Sequence, residues 1–135
     1  MKEQLLMTLE NSKNYTLAVA EAMPADAYEF KPAGAGWNFR ELLHHIAYGI
    51  QWWEQNYVKA VESTWNPPAV KSNKEEINSY LHQAYGSLKN SISTLKTNDD
   101  LIKGFYTTID HITHHRGQAV LYLRCAGINP PEYMY

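Results

Sequence analysis

Two histidines in the stretch TTIDHITHHRGQAVLYLR, residues 107–124, stand four positions apart: His111 and His115. On an α-helix that spacing stacks two imidazoles on one face about one 5.4 Å turn apart, close enough to grip one cation. His114 lies between them, so spacing alone leaves three candidates. At about 100° per residue, Phe105, Ile112, Ala119 and Leu123 form an apolar stripe, with His115 near its edge, His111 further round and His114 pointing away from it. Gln118 and Tyr122 continue the line of the two histidines. The helix thus offers a polar strip with an aromatic wall along the rim of a core.

Two histidines do not close a metal site, so a third ligand must come from another segment. His44 and His45, in NFRELLHHIAYGIQWW, are the available pair. The apolar stripe there is Phe39, Leu42, Leu43, Ile46, Ile50, Trp53 and Tyr57; both histidines flank it, His45 the nearer to its centre. Three neutral imidazoles with a fourth position open suit zinc, nickel, copper or iron, and an ion so held polarises a bound water or binds a thiol as thiolate. Gln118, about 4.5 Å along the axis from His115, is placed to orient water or substrate and is the candidate catalytic residue. A helix beginning near Thr107 would bring its positive end close to His111 and favour the neutral, ligating form.

Other polar residues have plainer readings. Glu41, three residues after Asn38, fits a capping role better than a contact to His45. His82 faces away from the buried line of its helix. Cys125 lies about 15 Å beyond His115 on the same helix and cannot reach the same ion. Arg116 offers an anion-binding cation, but the plainer expectation is that it ties down a helix or loop through a carboxylate. Trp52, Trp53, Tyr48 and Tyr122 read as core before substrate box.

The elements that must position these residues are helices. Residues 2–22 place Leu5, Leu9, Ser12, Thr16, Val19 and Met23 on one face, and Pro24 ends the helix. The connector MPADAYEFKPAGAGW is irregular, with Tyr28, Phe30 and Trp37 available to fold it back onto the bundle. Asn38 and Glu41 make a capping box for a second helix running to about Val61. Ser72-Asn73-Lys74-Glu75 opens a third, with Ile77, Leu81, Ala84, Leu88, Ile92 and Leu95 as its buried line. The polar run Thr97–Asp100 and Gly104 separate it from a fourth helix beginning at Thr107, stopped by Gly127 and Pro130-Pro131. The tail 132–135 is free to pack on the bundle or on a partner. Four amphipathic helices with no strand pattern predict an all-α four-helix bundle, and the long first connector permits a topology other than simple up-down-up-down.

With 135 residues the chain reads as one domain, 1–135, and 44% hydrophobic with 13% aromatic residues fits a globular protein. The formal net charge of −2, with no basic face, argues against nucleic acid as a partner. No apolar run approaches the roughly 18 residues of a membrane span, and the charged first residues do not look like a secretory signal. One cysteine makes no internal disulfide, which fits a reducing cytoplasm.

WNFRELLHHIAY, followed by DHITHHRGQAVLYLRCAGINPP, resembles the DinB/YfiT-like superfamily of small four-helix-bundle proteins. The resemblance extends over nearly the whole chain, including MPADAYEFKP and the closing Gly-x-x-Pro-Pro. It implies that His45, His111 and His115 form a three-histidine site for a divalent metal, zinc or nickel, and that the protein forms homodimers. Members of known activity are mostly metal-dependent thiol S-transferases using low-molecular-weight thiols such as bacillithiol or mycothiol. Others are described as metal-dependent hydrolases. The resemblance therefore implies an enzyme acting on a small electrophilic substrate. The alternative is a bundle that binds a metal or small molecule without turnover.

Overall fold

Each helix begins where an asparagine or the chain start can supply acceptors to otherwise unpaired N–H groups. The computed structural model describes residues 1–133, and Met134 and Tyr135 of the expected docking tail lie outside the described residues. Helix α1 spans Lys2–Ala22, α2 Phe39–Trp53, α3 Lys74–Thr94 and α4 Asp99–Cys125. Asn38 accepts from the Glu41 N–H while Glu41 accepts from the Asn38 N–H, closing a complete capping box on α2. Asn73 caps α3 through the Glu76 N–H. Asn98 caps α4 through the Leu101 N–H.

The expected buried lines of the helices hold except at their ends, where Trp53 and Leu95 are only half-buried. Leu5, Leu9, Ser12, Thr16, Val19 and Met23 are buried along α1, and Phe39, Leu42, Leu43, Ile46 and Ile50 along α2. Ile77, Leu81, Ala84, Leu88 and Ile92 of α3 meet Phe105, Ile112, Ala119 and Leu123 of α4 in one core. Each fully buried Leu or Ile contributes about 1.5–3 kcal/mol relative to exposure. Helices α1 and α2 each pack chiefly on both α3 and α4, so α1 stands diagonally across the bundle from α2, and α3 from α4. The connector makes this topology possible. Its Tyr28 is buried, donates to the Ala20 carbonyl and packs edge-on against Phe39, while the Phe39 and Arg40 N–H groups bond back to Phe30 and Tyr28.

Two boundaries differ from the sequence expectation. The second helix does not run as α-helix to Val61: from Glu54 to Val58 it widens into a π-helical turn, then leaves through Ala60 at φ 58°. Glu54 is buried there and accepts from Ser87 and Ser91 of α3. Tyr57, expected in the core stripe, is 47% exposed as a result. The fourth helix begins at Asp99 rather than Thr107, because Thr97–Asp100 is its cap and first turn and not a loop. Gly104 is inside it for a steric reason: a Cβ there would stand 2.5 Å from the Tyr57 carbonyl oxygen. The glycine marks a close crossing of backbones where the sequence suggested a break.

Candidate metal centre

Helix α2 contributes His45 and α4 contributes His111 and His115, and the packing of these two helices brings the rings together. One ring nitrogen from each lies within 4.8 Å of the others. Nε2 of His45 and Nε2 of His115 are 3.1 Å apart. Two nitrogens each 2.0–2.1 Å from a tetrahedral zinc would stand about 3.3 Å apart, so this pair already has nearly the separation of two ligands of one ion. Without an ion the same geometry suits an N–H···N bond, and Gln118 fixes its direction. Its Oε1 lies 2.9 Å from Nδ1 of His115, which must then carry the proton and leave Nε2 with a free lone pair.

The third ring is held by an absence. Gly49, one turn after His45, is buried, and a Cβ at that position would fall 2.5 Å from Cε1 and 2.8 Å from Nδ1 of His111. Sequence reasoning passed over Gly49. The available signal was a glycine in the middle of a strongly amphipathic helix, where it costs about 0.5–1 kcal/mol relative to alanine. Nδ1 of His111 is buried with no hydrogen-bond partner among the described residues, and the Trp53 ring packs edge-on at 5.5 Å.

Burial, and then the neighbouring imidazoles, push His45 down to about 4. The same causes push His111 down to about 4. His115 is also lowered by burial, opposed by its bond to Gln118. The rings are therefore neutral at neutral pH, with lone pairs available, which is the donor set a borderline cation such as zinc or nickel prefers. The helix N-terminus takes no part in this. His111 lies twelve residues into α4, about 18 Å from its start, whereas the macrodipole acts within the first turn. The expected dipole assistance to His111 is replaced by desolvation.

The other histidines stay apart. His44 is buried, its Nδ1 accepts from the Lys71 N–H and its ring packs at 5.1 Å from that of Tyr80. His82 and His114 are exposed. Glu41 is taken up by its cap. Arg116 is buried but meets no carboxylate among the described residues; it donates to the Ser12 carbonyl and Thr16 Oγ1, correcting the expected ion pair.

Aromatic rings wall the cluster. Trp37 lies 4.5 Å and Trp65 5.4 Å from the His45 ring, centroid to centroid. Tyr122 donates to the Trp37 carbonyl and fixes the connector over the site. An open cavity of about 620 Å³ reaches His115 and Gln118 between Trp37, Leu121 and Tyr122, and among the described residues no charged side chain lines it. A smaller cavity of about 160 Å³ reaches His45 from the side of Tyr48 and Trp65. No helix among the described residues is long and apolar enough to cross a membrane.

Known proteins share this architecture. A crystal structure of a DinB-like protein from Bacillus cereus ATCC 10987 is similar with a TM-score of 0.81 and 18% identity, covering 98% of this chain and 97% of that one. A DinB-like protein from Bacillus subtilis is similar with a TM-score of 0.75 and 19% identity, covering 97% of this chain and 98% of that one. No curated protein matches. The model of the DinB superfamily matches residues 8–119, across the caps, the crossing helices and all three converging histidines, and that of the DinB family matches residues 105–135. The chain belongs to the DinB superfamily.

Proposed function

We propose that this protein is a metal-dependent enzyme, a thiol S-transferase or hydrolase acting on a small electrophilic molecule, with His45, His111 and His115 as ligands of a divalent zinc or nickel ion. The observation that carries the reading is the convergence of three neutral imidazoles within 4.8 Å beside an open, uncharged cavity. An ion held by these three histidines would supply Lewis acidity, which would make a thiol or water nucleophilic near neutral pH. The protein's own residues do the rest. Gln118 holds the His115 tautomer, and Gly49 gives the His111 ring its seat. Trp37 and Tyr122 present apolar surface to the substrate and limit water at the rings, which strengthens electrostatic interactions inside. A low-molecular-weight thiol is the proposed co-substrate, and a homodimer the proposed assembly.

One observation favours a second reading, a bundle that holds metal or a small molecule without turnover. Among the described residues no carboxylate joins the three histidines, and Glu41 is occupied by its capping bonds, so no general base stands ready. A metal-bound thiol would lose its proton to bulk water near neutral pH and so would need no protein base, which is why transfer is preferred here to hydrolysis. The test is a screen of electrophiles with several thiols, using untagged protein of known metal content, beside the His115→Ala variant. The proposal expects metal-dependent consumption of thiol that disappears with His115, while the variant still folds. Stoichiometric metal with no turnover of any thiol and electrophile pair would leave the binding reading in its place.

A further inference from the structure

Arg116 is 5% exposed, yet the functional reading gives it no task. Nη1 lies 3.3 Å from the Ser12 carbonyl oxygen and 3.3 Å from Thr16 Oγ1, both on α1. Tyr15 and Tyr133 cover the cation with their rings, at 5.0 and 5.7 Å from Cζ. No acidic side chain among the described residues pairs with it. A guanidinium carries five N–H donors in one plane, and the described bonds use only Nη1. Among the described residues the side-chain bonds of Arg116 leave Nε and Nη2 without a bond of their own. They form the flat edge that recognises planar or tetrahedral oxyanions through two parallel bonds.

That edge belongs to a cavity. Arg116 lines a pocket of about 200 Å³ between α1 and α4 together with Thr8, Asn11, Ser12, Thr113 and Tyr133. Among the described residues its polar side chains are hydroxyl and amide groups, with no carboxylate. Such groups can donate to an anion. A charge removed this far from water is ordinarily paired, because its desolvation is costly otherwise. Carbonyl, hydroxyl and ring contacts offset only part of that cost.

We propose that this pocket, on the opposite side of α4 from the three histidines, binds a small oxyanion, a carboxylate or phosphate-type group, in the plane of the Arg116 guanidinium. The site is independent of the metal reading. It is tested by titrating the full, untagged chain with acetate and separately with inorganic phosphate, at ionic strength held constant with chloride, while following the arginine Nε–H resonances by ¹H–¹⁵N NMR. The proposal expects a saturable shift confined to one arginine signal, absent in Arg116→Gln. Thr113→Val keeps the guanidinium and its α1 contacts, so it covers the case in which the arginine variant fails to fold, and is expected to weaken binding about tenfold, the equivalent of one lost hydrogen bond to a charged group. Saturation by acetate alone identifies a carboxylate, and by phosphate alone a phosphate-type group. No saturable shift beyond chloride with either anion, or binding unchanged in Thr113→Val, overturns the proposal.

Discussion

A methyl group at position 49 would stand 2.5 Å from Cε1 of His111, closer than packed carbon atoms approach. Gly49→Ala therefore sets two effects against each other. Helix propensity favours alanine by up to about 1 kcal/mol, while the ring must leave its seat. Metal affinity measured by competition with a chelator is expected to fall at least tenfold with the fold intact, and unchanged affinity would show that His111 tolerates displacement. Gln118→Ala tests the neighbouring ring. With Oε1 gone, His115 loses the partner of Nδ1, and removal of such a partner typically costs 10–100-fold in metal affinity. The same competition assay measures it; an affinity equal to wild type would mean that Gln118 serves only substrate or solvent.

At the scale of the elements, α4 carries most of the burden because it presents two histidines at a fixed phase to α2. Asn98→Ala removes its cap and is expected to lower stability by about 0.5–2 kcal/mol in denaturant unfolding. Gly104→Ala drives a Cβ against the Tyr57 backbone and is expected to cost about 1–3 kcal/mol, despite alanine's better propensity. A stabilised Gly104→Ala protein would mean that the π-helical segment yields freely. These two residues also show where the sequence could and could not be read. The apolar faces of the four helices and the shared phase of His111 and His115 followed from a 3.6-residue period, which depends only on local geometry, whereas the choice of His45 over His44 came from the family resemblance. The start of α4 did not follow. A polar run closing with glycine is a loop signal unless Tyr57, distant in the chain, is known to cross at Gly104. The same blindness hid Gly49, whose partner is 62 positions away, and the carbonyl and rings that take the place of a carboxylate at Arg116.

For the whole molecule, the depressed histidines couple stability to pH. Below the ordinary value of 6.5 the unfolded chain protonates His45 and His111, whereas the folded, metal-free protein resists until about 4. The unfolded state binds more protons in that window, so stability falls as pH drops from 6.5 towards 4, and these two groups add no further loss below it. Thermal unfolding of chelator-treated protein between pH 7 and 4.5 is expected to show this decline. His45→Asn together with His111→Asn should flatten it, and an unchanged slope would assign the decline to other groups. A bound ion adds stability by mass action, about 2.7 kcal/mol at a hundredfold excess over Kd. The most direct measurement is elemental analysis of untagged protein after loading with zinc or nickel, combined with X-ray absorption at the metal edge. The account predicts one ion per chain with three imidazole nitrogens at about 2.0–2.1 Å, lost when His45, His111 or His115 is replaced by alanine. An ion content far below one per chain, or full content retained in those variants, would contradict it.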